Sequence, residues 1–264
     1  MKGRVLIVAG SDSGGGAGIQ ADIKAVTAMG GFAATAITAL TAQNTQGVHG
    51  VVPVDPAFIA QQIEVVLTDI GADALKTGML HSAEVIDTVV ASFKKHAPVV
   101  PLVVDPVMVA KGGHRLLLSD AETALRERLL PMAALLTPNL PEAEVLVGFP
   151  VHDEPSMKRA ADKLLALGAR AVLMKGGHLA GDRVIDLLVH DGGLDRFEDA
   201  RIPSRSTHGT GCTLASATAA GLAQKLSLRD AVARARAYVR DAIASAPGYG
   251  AGHGPLNHAV TVKP

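Results

Sequence analysis

Short aliphatic runs and helical stripes alternate along almost the whole chain. Val5-Leu6-Ile7-Val8-Ala9 is an unbroken apolar run, the pattern of a strand covered on both faces. A glycine-rich loop over 10–18 follows, and then a predicted helix over about 17–29 that Gly30-Gly31 stops. The next strand is predicted over 33–40. Asp55 then reads as a helix cap with Pro56 at the first helical position, and Phe58, Ile59, Ile63, Val66, Leu67 and Ile70 recur at helical spacing. Beyond it the pattern predicts strands at 72–76, 101–104, 133–136 and 171–174. Helices are predicted at 83–95, 119–129, from about Pro141, and at 157–167. Asp191-Gly192-Gly193 between two apolar runs, 184–190 and 194–202, reads as an antiparallel hairpin. Two helices close the chain, the second with Val232, Ala235, Tyr238, Val239, Ala242 and Ile243 on one face, and 248–254 is loop. No repeat or linker interrupts this order. The expectation is α/β: one domain over 1–264, a single doubly wound, mostly parallel sheet with helices on both faces.

In such sheets ligands bind beyond the carboxyl ends of the strands, so the polar residues that follow each run are the candidate site. They are Ser11 and Asp12; Gln43 and Asn44; Lys76-Thr77-Gly78-Met79; Asp105-Pro106; Thr137-Pro138-Asn139 with Glu142; and Lys175-Gly176-Gly177-His178. To these is added Thr207-His208-Gly209-Thr210-Gly211-Cys212, which leads into small, helix-compatible residues. That turn is written as a phosphate cradle: glycines permit close backbone approach, and a helix N-terminus offers free N–H groups and positive potential. A thiol at Cys212 in such a potential is expected to have a lowered pKa. Each residue has an ordinary structural reading, as a cap, a snorkelling lysine or a solvated acid. Together they put two cations, carboxylates suited to Mg²⁺, an amide pair and two anion loops on one rim, the inventory of phosphoryl transfer.

Composition narrows the field. Hydrophobic residues make up 48% and aromatics only 3%, with no Trp, so Val, Ile, Leu and Ala must fill the core. The 25 basic and 25 acidic residues cancel, with no basic run, which argues against nucleic acid or an anionic membrane as partner. A single cysteine rules out an internal disulfide, and the apolar run 5–9 is too short for a signal-peptide core; the expected location is cytoplasmic. There is no G-x-x-x-x-G-K-[ST], and the first glycine run does not fit G-x-G-x-x-G. Nor is there an acidic residue between Asp22 and Asp55 to hold a ribose, so P-loop and hydride-transfer readings fall away.

Read together, Gly10-Ser11-Asp12-Ser13, the segment 15–22, Thr41-Ala42-Gln43-Asn44, Lys76-Thr77-Gly78-Met79-Leu80, Asp105-Pro106-Val107-Met108, Thr137-Pro138-Asn139-Leu140-Pro141-Glu142, Met174-Lys175-Gly176-Gly177-His178 and the 207–213 turn resemble the hydroxymethylpyrimidine/phosphomethylpyrimidine kinases of the ribokinase-like superfamily. The resemblance runs along essentially the whole chain. It implies ATP- and Mg²⁺-dependent phosphorylation of 4-amino-5-hydroxymethyl-2-methylpyrimidine and then of its monophosphate. By position it implies that Gln43 reads the aminopyrimidine, with Gly10, Asp12, Met79 and Val107 lining the substrate pocket. Gly209, Thr210 and Gly211 would form the anion hole and, with Lys175 and Asn139, contact ATP. Glu142 and Asp105 would face Mg²⁺. Cys212 stands where related sugar kinases carry an aspartate base; it would take the hydroxyl proton as thiolate or shape the pocket. A dimer is implied as well. Pyridoxal kinase is the alternative activity, since related enzymes share the cysteine-bearing turn. A non-catalytic vitamin- or nucleotide-binding regulator would have little need of Lys175, Glu142, Gly209, Gly211 and Cys212 together.

Overall fold

The structure, a computed structural model, describes residues 1–109, 113–114, 116–118 and 120–262. Ser119, where the helix predicted over 119–129 starts, lies outside the described residues, as does Gly112 of a Gly112-Gly113 pair whose glycine content suits a mobile cover. A nine-stranded sheet runs through the molecule in the order β3-β2-β1-β4-β5-β6-β7-β8-β9. Its strands are β1 (Arg4–Asp12), β2 (Phe32–Gln43), β3 (Val48–Pro53), β4 (Ala74–Thr77), β5 (Leu102–Val104), β6 (Leu135–Leu136), β7 (Ala171–Lys175), β8 (Arg183–His190) and β9 (Gly193–Ala200). The six from β2 to β7 are parallel; β3 pairs antiparallel with β2, as β8 does with β7 and β9 with β8.

The helices are α1 (Gly18–Ala28), α2 (Pro56–Asp69), α3 (Ala83–His96), α4 (Ala121–Ala124), α5 (Leu140–Val147), α6 (Glu154–Ala166), α7 (Thr210–Ala223) and α8 (Leu228–Ala244). Local signals set most of their starts. Asp55 accepts from the amides of Ala57 and Phe58 with Pro56 behind it, and Ser82, Asp153 and Ser227 cap α3, α6 and α8. The helix expected over 119–129 is instead one turn of α4 followed by a π-helical turn over Leu125–Leu129. No helix among the described residues is long and apolar enough to cross a membrane.

Alternate residues of β1 enter different apolar clusters, as a period of two requires. Val5, Ile7 and Ala9 pack with α1, α7 and α8, while Leu6 and Val8 pack with residues of α2, α3, α5 and α6. Because β1 has β2 on one side and β4 on the other, the chain reverses its winding there. The carboxyl ends of β1 and β4 therefore flank the topological switch point, where an open sheet parts to admit a ligand.

Lys76, on β4 beside that point, departs from the sequence reading of a rim cation. Its side chain is fully buried, and Nζ lies 2.8 Å from both carboxylate oxygens of Asp22 on α1. Ser216 of α7 donates to the same carboxylate at 2.6 Å. Asp22 sits on the apolar face of α1 among Ile19, Ala25 and Val26, so the pair ties α1 and α7 to the sheet from inside. Removing one partner strands the other charge in the core, whereas removing both does not. Lys76→Met is expected to destabilise the fold by about 3–5 kcal/mol in urea unfolding, and adding Asp22→Leu to recover most of that loss.

Candidate active site

The loop after β1 is built around one carboxylate. Asp12 Oδ1 accepts from the amide of Gly14 at 2.8 Å, and Oδ2 accepts from Gly16 at 3.1 Å and Ala17 at 2.8 Å. His208 Nε2 lies 2.8 Å from the same Oδ2. Burial alone would push the Asp12 carboxyl up, but His208 and the amides of Ala17 and Gly14 outweigh it and hold the group below its ordinary value. Asp12 is thus occupied within the protein. It shapes the pocket rather than presenting a free carboxylate to it, which narrows the lining role expected for it.

Against this loop rests the turn before α7. Gly209 caps α7 with φ +81°, and a Cβ there would fall 1.8 Å from the carbonyl oxygen of Gly16. Only glycine meets both conditions. Thr210 turns its hydroxyl back to the Thr207 carbonyl at 2.8 Å, and the Thr213 amide donates to the Gly209 carbonyl at 2.9 Å. In between, the amides of Gly211 and Cys212 are first-turn donors of the kind a helix N-terminus leaves free.

Across the opening of that turn stands a charged cluster. Lys175, at the end of β7, has Nζ 3.0 Å from Asp105 Oδ1 and 3.9 Å from Glu142 Oε2. A Cβ on Gly211 would sit 3.1 Å from the same Nζ. Four elements therefore meet within one side chain's reach: the ends of β5 and β7 and the starts of α5 and α7. Asn139 and Glu142 form a reciprocal capping box, each side chain accepting from the other's amide at 2.9 and 2.8 Å. Glu142 is buried, not a solvated first-turn acid. Burial pushes its carboxyl up to about 7 with Asp105 adding to the rise, against the pull of Lys175.

The thiolate expected at Cys212 is not favoured either. Cys212 is only part-buried, yet burial around the sulfur pushes the thiol up to about 12. Lys76 and the Gly18 amide pull it down; Asp22 and Asp105 push it up further. Roughly one thiol in 10⁵ is then ionised at pH 7.

On the far side of Asp12, β2 runs on to Gln43, three residues past its expected end, and pairs with β3, a strand absent from the sequence reading. Gln43 is held at both backbone ends, its amide donating to Ser13 Oγ at 2.8 Å and its carbonyl accepting from the same hydroxyl at 2.9 Å. Its side chain reaches Thr41 Oγ1 at 3.2 Å and His208 Nε2 at 3.4 Å. Met79 and Val107 share a small apolar cluster with Ala39, Leu116, Val48 and Val51, and Gly10 lies under the Met79 sulfur. Gln43, Gly10, Asp12, Met79 and Val107 therefore surround one region, and Lys175, Asp105, Asn139, Glu142, Gly209, Thr210, Gly211 and Cys212 another. His208, to which the motif gave no role, bridges them. Asp22 escaped too, although an acid within an apolar helical stripe was a readable signal.

A family model described as phosphomethylpyrimidine kinase matches residues 12–257. The chain belongs to the phosphomethylpyrimidine kinase family. Among relatives, it is 50% identical to a hydroxymethylpyrimidine/phosphomethylpyrimidine kinase of Streptomyces coelicolor, covering 96% of this chain and 93% of that one. It is 53% identical over 99% of its length to the thiamine biosynthesis bifunctional protein ThiED of Geobacter sulfurreducens, and spans 53% of that longer protein. Family architecture extends to pyridoxal kinases: an ADP complex of the Bacillus subtilis enzyme superposes with a TM-score of 0.90 at 34% identity, covering 98% of both chains.

A carboxyl whose folded pKa is raised favours the fold while protonated. Its contribution is complete below the ordinary value of 4.5 and is lost as pH rises through about 7. In metal-free buffer, stability is expected to fall across that window by up to about 3 kcal/mol on this account. Glu142→Gln, which keeps an acceptor for the Asn139 amide, should flatten the slope in pH-dependent denaturation.

Proposed function

We propose that this chain transfers the terminal phosphoryl group of ATP to the hydroxymethyl oxygen of 4-amino-5-hydroxymethyl-2-methylpyrimidine, and then phosphorylates the monophosphate to the diphosphate. The observation that carries this reading is the meeting of Lys175, Asp105 and Glu142 with the first turn of α7. Phosphoryl transfer demands placement and charge neutralisation more than covalent work, and these side chains offer little else.

In this reading the aminopyrimidine packs on Met79 and Val107 beside Gly10 and pairs with the Gln43 amide, whose donor and acceptor match a ring nitrogen next to an exocyclic amine. The amides of Gly209, Gly211 and Cys212 receive the transferring group, and Lys175 follows its charge. Asn139 and Thr210 border the ATP phosphates. The donor set fits Mg²⁺. Asp105 and Glu142 are hard oxygens, one of them protonated for want of positive charge, and no cluster of three or more metal-binding side chains occurs among the described residues. Mg²⁺ keeps most of its waters and needs only one or two protein carboxylates besides phosphate; when bound it neutralises phosphate charge. We infer further that 1–264 is one domain with helices on both faces of its sheet, and that it acts in the cytoplasm as a homodimer.

A neutral thiol is a poor proton acceptor, so Cys212 contributes its backbone amide and its shape. Cys212→Ala should then retain both phosphorylations to within about tenfold, measured as mono- and diphosphate formed from MgATP. A general base would contribute about 10²–10⁴ to the first step alone, so a loss of that size confined to the first step would restore the thiolate role. Likeness to pyridoxal kinases makes pyridoxal the competing acceptor; kcat/KM for the two alcohols in parallel decides between them.

A further inference from the structure

We propose that Asp186, held by Arg236, is the positioning residue that aims Lys175 at the transferring phosphoryl group. The inference rests on the reading of Lys175 as the cation that follows this charge, and extends it from the rim outward to α8.

Lys175 stands where β7 ends and the chain leaves the sheet in a tight turn over Gly176–His178. Both peptide groups that flank its Cα are pinned. Its own amide donates to the Pro138 carbonyl at 3.0 Å, and the Gly176 amide donates to Asp186 Oδ1 at 2.8 Å. Asp186 is opposite Lys175 in the antiparallel β7–β8 pairing, and its side chain takes up the first amide beyond the ladder. Gly176 comes so close to β8 that a Cβ would fall 1.8 Å from the Ile185 carbonyl oxygen. Of the two pins, the Pro138 contact is backbone to backbone, whereas the Asp186 contact is made by a side chain.

Asp186 is itself held. Its other oxygen accepts from Arg236 Nε at 2.7 Å, and both side chains are buried. The Arg236 guanidinium also reaches Asp199 at 2.9 Å and lies 5.1 Å from the centre of the Phe197 ring. A planar fork fixed in this way presents its N–H in one direction, so the carboxylate cannot swing away from Gly176. Apolar side chains of similar volume often match or better such a buried pair in stability. Its place directly behind Lys175 therefore calls for a reason other than stability, and the Gly176 amide supplies one.

The leverage is mechanical. A lysine stem is about 6 Å long, so a tilt of about 10° in the Cα–Cβ direction displaces the ammonium by about 1 Å. A displacement on that scale can cost about 10²-fold in rate. Asp105 and Glu142 hold the ammonium from the front, and Asp186 fixes the backbone it springs from.

Two double variants separate aim from stability, since each removes both buried charges. Asp186→Leu with Arg236→Met leaves the Gly176 amide without an acceptor; Asp186→Asn with Arg236→Met keeps a carbonyl oxygen for it. The first is expected to lose about 10–10²-fold in kcat for monophosphate formation, with KM for the pyrimidine within about threefold of wild type. The second should recover kcat to within about threefold of wild type. Added to Lys175→Met, the first double should cost less than about threefold more, because no ammonium is left to aim. Should that double fail to fold, Arg236→Lys carries the test. It keeps the charge without the fork, and a loss of about threefold or more in kcat at unchanged KM is expected, absent in the Lys175→Met background. Equal kcat in the two doubles, losses that multiply with Lys175→Met, or an unchanged kcat in Arg236→Lys where it stands in, overturns the proposal alone. No turnover by wild type, or Lys175→Met as active as wild type, overturns the reading of Lys175 and the proposal with it.

Discussion

Two loops far apart in sequence interlock where Gly16 and Gly209 meet, and the site is a consequence of that contact. Gly209 adopts φ +81° with its Cα hydrogens against the Gly16 carbonyl, while Gly16 leaves room for the His208 ring, which a Cβ would meet at 2.5 Å. No side chain fits at either place. The approach brings the N-terminus of α1 close to that of α7, so the positive ends of two helices serve one small volume. Asp12 holds the first loop in the shape that permits it, and the same carboxylate grips the second loop through His208.

Charge accounting explains the remaining chemistry. At the rim and in the core just beneath it, two ammonium groups, Lys175 and the buried Lys76, face three carboxylates, Asp22, Asp105 and Glu142. One negative charge is in excess in a poorly solvated place, and the protein relieves it by holding Glu142 protonated up to about pH 7. The same excess, with burial, keeps the Cys212 thiol neutral despite its helix N-terminus. A local dipole worth about half a charge does not outweigh burial and full neighbouring carboxylates.

What could be read from the sequence was whatever depends on near neighbours. Aliphatic runs, the Asp55-Pro56 start, the hairpin at 191–193 and the glycine turn before α7 carry their own reasons. The strand β3 did not, because most of Val48–Pro53 is exposed at a sheet edge and shows no clean alternation. Nor did the state of Lys76, which depends on Asp22, 54 positions earlier. Cys212 was misjudged for the same reason: its helix is local, while Asp22 and Asp105 are brought in by the fold. His208 was in plain view within the turn, but its partner lies 196 positions away.

The end of the chain completes the arrangement. The loop after α8 lays Gly250 and Gly252 on Thr45, where a Cβ would fall 2.3 Å and 2.0 Å from Thr45 atoms, and the His253 amide donates to the Thr45 carbonyl at 2.8 Å. Immediately afterwards, His208 donates its own amide to Gly254 at 3.1 Å and bridges to Pro255. One closing segment thus grips the wall that carries Gln43 and the turn that carries Gly209. A fixed separation between these is what a transfer site needs, because a reacting atom displaced by about 1 Å can cost 10²-fold in rate. His208 belongs to both halves, since its ring meets Asp12 and Gln43 while its backbone is tied to the closing segment, so the Gln43 wall and the phosphate turn are held as one unit.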